Sequence, residues 1–225
     1  MTILPGAAYL WENKIRVSAF FKGRLSFVDV GKVCVLSVGV WCLGSVLNSI
    51  AALALERLGM DLPTQLPQME TPMALILGFC NVVVAAPILE EFFFRGILLD
   101  GTCRCGGTVA VVGSSLLFAL AHGHPAIFFL PLVYGMFAGY VVMKSGNLTL
   151  GIIMHSICNF LSWTAERMNL VEEIPVAMGL LAGALITLGI GIVLLFRHPV
   201  PIKKLLKECC CIPMGLVALY YCLTL

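Results

Sequence analysis

Three short polar clusters interrupt the most apolar stretches of this chain: Glu90-Glu91 with Arg95, His122 alone, and His155 with Asn159. Together these residue types can hydrolyse an amide without a serine or cysteine nucleophile. A carboxylate in a low-dielectric site can take a proton from water, and a neighbouring imidazole can orient that water or share its proton. An amide NH2 and an imidazole N–H are suitable donors to the oxyanion of a tetrahedral intermediate. Glu90 then suits the general base and His122 its assistant, while His155 and Asn159 suit the oxyanion.

Helical spacing sorts these residues further. Glu91 and Arg95 are four apart, on one face, and can form an ion pair that lowers the cost of burying both. That pairing points to a supporting role for them. Glu90 is turned by about 100° from Glu91 and is free to face another helix. His155 and Asn159 are again four apart and share a face. Pro87 removes a backbone hydrogen bond just before the glutamates. A metal reading uses the same groups: Glu90, His122 and His155 could hold Zn2+ or another divalent ion, with water in the fourth position. The His-Glu-x-x-His signature of many zinc peptidases is absent.

The elements that must carry these residues are membrane helices. Hydrophobic residues make up 60% of the chain and charged residues 12%, against roughly half and a quarter in soluble domains. About 20 apolar residues cross a bilayer core. Stretches 32–55, 73–99, 108–122, 127–143, 148–163 and 174–196 qualify, the third and fifth being short. The expected fold is all-α, a polytopic transmembrane bundle of six spans, with 212–225 a short seventh or an interfacial segment. Residues 1–31 form a cytoplasmic or interfacial segment, 32–196 the transmembrane domain with its core at about 73–163, and 197–225 a basic tail. Buried ionisable groups cost roughly 2.5–3.5 kcal/mol each at a helix centre, so each requires a reason.

Twelve of the fourteen Lys and Arg residues fall on one side of this six-span topology, leaving only Arg57 and Arg167 opposite. By the positive-inside rule the N-terminus is cytoplasmic. The net charge of +2 is spread over membrane-flanking loops and gives no reason to expect a nucleic-acid partner. The ten cysteines lie mostly inside spans or on cytoplasmic segments, so no disulfide framework is expected. A cleavable signal peptide is not expected either, because the first apolar run starts late and is long. One tension appears in this frame. Glu90 and His155 would each lie roughly 10 Å from the cytoplasmic face but His122 roughly 20 Å. A loop at 101–107 that dips into the protein would reconcile them.

The Glu-Glu-x-x-x-Arg, Phe-x-x-x-His and His-x-x-x-Asn elements, in this order on successive apolar helices, resemble the CAAX-protease and bacteriocin-processing family of intramembrane endopeptidases, type II CAAX prenyl endopeptidases included. The likeness takes in Pro87 and Gly96 and covers about 73–163. It implies that Glu90 activates water with His122, that His155 and Asn159 stabilise the oxyanion, and that Glu91 and Arg95 support their helix. It further implies a membrane-associated peptide or protein substrate in a lipid bilayer. The resulting expectation is a glutamate-dependent peptidase of the bacterial cytoplasmic membrane. The alternative is a non-catalytic immunity or scaffold protein of the same fold.

Overall fold

The structure, a computed structural model, describes residues 10–23, 25–60, 71–103, 106–167, 179, 181–187 and 189–190. Among the described residues there are helices and no strand. Five long elements dominate: α1 (Phe27–Arg57), α2 (Pro72–Thr102), α3 (Gly107–Ala121), α4 (Phe129–Ser145) and α5 (Leu148–Arg167). They coincide with the first five expected spans.

Local chemistry fixes their ends. Ser26 Oγ accepts from Asp29 N at 3.1 Å and starts α1. Thr71 Oγ1 accepts from Ala74 N at 3.1 Å, with Pro72 in the first turn of α2, where a missing N–H costs nothing. α4 ends at Gly146, whose φ of +65° is the left-handed cap that glycine adopts without strain. Asn147 begins α5 at once, its Oδ1 accepting from Thr149 N at 2.9 Å. The start of α4 is capped from another helix: Asn48 Oδ1 of α1 accepts from Phe129 N at 2.9 Å and Leu130 N at 3.1 Å.

Length and apolarity suit α1, α2 and α5, of 31, 31 and 20 residues, to crossing a membrane. The two shorter apolar helices are α3 and α4, with 15 and 17 residues. The fifth segment is therefore longer than its sequence pattern suggested, because amphipathic Glu166 and Arg167 continue the helix beyond the apolar stretch. Of the expected sixth span, 174–196, only 179, 181–187 and 189–190 are described, and they are helical. There Thr187 is buried against Gly39 of α1, where any side chain would collide with it. Segments 197–225 and 212–225 lie outside the described residues.

Small residues let α3 and α4 approach closely. A side chain at Gly135 would stand 2.9 Å from Ser115 Cβ, and one at Gly139 would stand 3.2 Å from Val111. The Gly-x-x-x-Gly pair thus serves packing within one chain. α1 crosses α4 and α5 on the other side, tied by Trp41 Nε1 donating to Ser162 Oγ at 2.9 Å. Ahead of α1, the 3-10 turn Val17–Phe21 sets Phe20 edge-on to Phe92 of α2. Gly23 then clasps the α4–α5 turn: Gly23 N donates to Gly146 O, and Asn147 Nδ2 donates to Gly23 O at 2.8 Å.

The helix carrying the glutamates is not uniformly α. It is α over Pro72–Phe79, π over Cys80–Ala85, α over Ala86–Glu91, π over Phe92–Leu98 and α again over Leu99–Thr102. π segments inside α-helices recur at functional sites. Both glutamates sit on the one α turn between the two.

Of the loop expected to dip at 101–107, residues 104 and 105 lie outside the described residues. α2 stays helical through Thr102, leaving a connection of only a few residues before α3 begins at Gly107. Glu90 therefore lies roughly 18 Å from that end of α2, close to His122 at roughly 22 Å along α3. His155, only about 10 Å into α5, meets the glutamates, and the start of α5 at Asn147 and Leu148 is itself buried beneath the N-terminal clasp.

Candidate active site

Two adjacent glutamates meet different surroundings. The Glu91 side chain is 0% exposed and that of Glu90 is 38% exposed. Glu91 Oε1 accepts from Arg95 Nη1 at 2.8 Å and from His155 Nδ1 at 3.1 Å. The expected i,i+4 pair is present, and it does more than offset charge. By engaging Nδ1 it turns the other ring nitrogen of His155, Nε2, toward Glu90, with Oε2 at 3.7 Å. His155 is thus held between the two carboxylates of α2.

Glycines make space for this buried cluster. A Cβ at Gly151 of α5 would lie 2.9 Å from Glu91 Oε2, and one at Gly135 of α4 would lie 2.9 Å from Arg95 Nη2. Glu91 Oε2, Arg95 Nε and Arg95 Nη2 have no hydrogen-bond partner among the described residues. Aromatic faces compensate the cation instead: the guanidinium carbon is 4.3 Å from the Phe118 ring centroid and 5.1 Å from that of Tyr134.

Phe118 also links the two histidines. Its ring centroid is 4.8 Å from that of His122 and 5.5 Å from that of His155. His122 caps the end of α3, its ring nitrogen Nδ1 2.8 Å from Phe118 O. A carbonyl only accepts, so Nδ1 carries a hydrogen, and in the neutral ring Nε2 is then the acceptor. The same logic puts the hydrogen of His155 on Nδ1, facing the Glu91 carboxylate. Asn159, one turn above His155, points its amide at the backbone of α2, with Nδ2 donating to Val82 O at 2.8 Å.

Glu90, Glu91, Arg95 and His155 therefore form one contact network. His122 approaches it through the Phe118 ring, and Asn159 borders it through the α2 backbone. Sequence reasoning missed Phe118 as the divider and Tyr134, whose ring is 4.6 Å from that of His155 and whose hydroxyl donates to Gly151 O at 3.3 Å. A tyrosine inside an apolar span was the available signal, since its hydroxyl needs a partner there. His124, beside His122, accepts from Ala126 N at 3.3 Å and caps a short 3-10 turn.

The metal reading fares less well. Among the described residues no three His, Cys, Asp or Glu side chains converge closely enough to hold a metal ion. Glu90 and His155 are apposed, but His122 does not join them as a third ligand. The chemistry on offer is that of a carboxylate–imidazole pair.

The fold and site define a helical membrane protein with a carboxylate–imidazole pair at the interface of two apolar helices. Residues 72–161 match the family model of type II CAAX prenyl endopeptidases, Rce1-like. CAAX prenyl protease 2 of Homo sapiens is 30% identical, the likeness covering 54% of this chain and 42% of the relative. Its counterpart in Rattus norvegicus is 34% identical, covering 54% and 38%. No solved structure matches. The chain spans about two fifths of the length of these curated relatives. Over residues 72–161 this integral membrane protein is thus similar to the Rce1-like type II CAAX prenyl endopeptidases, the likeness that its three motifs suggested.

Proposed function

We propose that this chain is an intramembrane endopeptidase that cleaves a membrane-associated protein or peptide with water activated at Glu90. The apposition of Glu90 Oε2 and His155 Nε2 at 3.7 Å carries this reading. With Nδ1 engaged by Glu91, two proton arrangements of the pair bear on the reaction: a neutral carboxyl facing a neutral ring, and a carboxylate facing an imidazolium. In the second state Glu90 takes a proton from water lying against both groups, and the water oxygen bonds to the scissile carbonyl carbon. The imidazolium Nε2–H donates to the oxyanion. As the C–N bond breaks, the proton on Glu90 passes to the departing amine. His122, with Nε2 as acceptor, assists at the water, and Asn159 borders the site through the α2 backbone.

The partial exposure of Glu90 beside fully buried Glu91 supports this division of labour, because only the reacting carboxylate needs access to water. The relatives' name makes a prenylated CAAX peptide the first substrate to try. The bilayer is taken to be the bacterial cytoplasmic membrane with the N-terminus inside. The charge asymmetry supports that orientation, and the two mammalian relatives lend nothing to the bacterial assignment.

The test is cleavage of such a peptide by purified protein in detergent or liposomes, with and without chelator. Glu90→Gln should remain folded and lose roughly 10²–10⁴-fold in rate. Activity insensitive to chelation supports water activated by the carboxylate alone, and activity restored by added metal would call for a different mechanism. A folded Glu90→Gln variant with full activity overturns the assignment. A non-catalytic scaffold would instead keep partner binding in that variant and show no cleavage in the parent.

A further inference from the structure

α2 reaches its glutamates through a backbone that cannot pair all its own carbonyls. Over Cys80–Ala85 it is wound in the π register, each N–H meeting the carbonyl five residues back. The last bond of that run is Ala86 N to Asn81 O. The next carbonyl, Val82 O, would be met by the N–H of residue 87, but residue 87 is proline and has none. In hydrocarbon no water takes over an orphaned carbonyl. Asn159 Nδ2 occupies that place at 2.8 Å, from 77 residues away in sequence.

We propose that Asn159 is a positioning residue that supplies the hydrogen bond Pro87 cannot make, and thereby fixes the turn bearing Glu90 and Glu91 against α5. The proposal rests on the reading of Glu90 as the reacting carboxylate. His155 and Asn159 lie on one face of α5, about 6 Å apart along its axis. The lower residue engages the glutamate side chains and the upper one engages the backbone gap just before them. Without the upper tie, the π segment can rewind to α, which turns the following residues by about 100° relative to the helix before it. Glu90 would then leave His155 Nε2. An oxyanion donor and a positioning tie predict different couplings, because only the tie becomes dispensable once residue 87 has its own N–H.

The experiment is a cycle of Asn159→Ala and Pro87→Ala in the full chain, read both by peptidase kinetics and by unfolding in detergent. With proline at 87, Asn159→Ala should lower kcat by roughly 10–100-fold at nearly constant KM, since small misplacements at a reacting centre cost rates of that order. It should also move the acid limb of the pH–rate profile, which loss of global stability alone would not do. In the Pro87→Ala background the same substitution should cost less than about threefold and leave the profile in place. Asn159→Leu, which keeps bulk without donors, should follow Asn159→Ala in both backgrounds. The unfolding equilibrium should shift by roughly five- to a hundredfold only where proline is present. Equal losses from Asn159→Ala in both backgrounds would overturn the proposal and return Asn159 to the oxyanion. A parent chain that cleaves nothing but shows the coupled unfolding would defeat the peptidase reading alone.

Discussion

Glu91 offers the sharpest separation of support from chemistry. Its Oε1 accepts from Arg95 at 2.8 Å and from His155 at 3.1 Å, and neither the Glu91 nor the Arg95 side chain has any solvent exposure. Glu91→Gln leaves an acceptor in place but removes the charge, stranding a buried guanidinium. Breaking a buried pair in this way costs about 3–5 kcal/mol. For a chain of this size that amounts to a fall of roughly 6–20 °C in Tm. Thermal unfolding in detergent, followed by tryptophan fluorescence, measures it directly. The double variant Glu91→Leu/Arg95→Met removes both charges and should recover most of the lost stability, because apolar replacements of buried pairs are often neutral or better. It should not recover cleavage, since His155 Nδ1 has lost the acceptor that holds its ring and tautomer. Losing such an orienting carboxylate costs on the order of 10⁴-fold in a Ser-His-Asp hydrolase. A Glu91→Gln variant within about 3 °C of the parent, or a fully active double variant, would refute the argument.

Two further outcomes follow from the packing and the charge pattern. Gly113 of α3 has open space around it, whereas a Cβ at Gly151 would meet Val142 Cγ2 at 2.8 Å and Glu91 Oε2 at 2.9 Å. Gly113→Ala should be neutral or up to about 1 kcal/mol stabilising, and Gly151→Ala should cost about 1–3 kcal/mol and reduce cleavage; equal unfolding midpoints would contradict the described fit. Single cysteines at Lys22 and Lys204 should resist an impermeant label applied from outside intact cells, while one at Glu172 should react; labelling at position 22 would reverse the orientation.

Five helices were legible because long apolar runs leave little choice of element; the caps at Ser26, Thr71, Gly146 and Asn147, which hydropathy does not mark, set the ends. The Glu91–Arg95 pair was legible for the same local reason, a spacing of one helical turn. The π segments were not, because apolar side chains do not record whether the backbone bonds four or five residues back; Pro87 marked only that something must give. Depth misled for a related reason. Rise per residue measures distance from a helix end, and neither the extension of α2 to Thr102 nor the burial of Asn147 under Gly23 is visible in hydropathy. Partner choice was the least legible feature. Spacing joined His155 to Asn159, but which groups of α2 each would meet, 64 and 77 residues away, depends on how the two helices dock.

That separation has a consequence for the order in which a ribosome delivers the parts. Glu91 and His155 are 64 residues apart, so at synthesis rates of about 5–20 residues per second the carboxylates precede the imidazole by roughly 3–13 s. During that interval α5 does not exist to receive them. Arg95 does, four residues further on, and it enters the membrane with the same helix. The local ion pair can therefore escort Glu91 through insertion, when an isolated charge would resist leaving the translocon. Glu90 has no such escort until α5 arrives, so a nascent chain carries its cutting group without the histidine that completes it. The Gly23 clasp across 124 residues can close only once the α4–α5 turn has also been made.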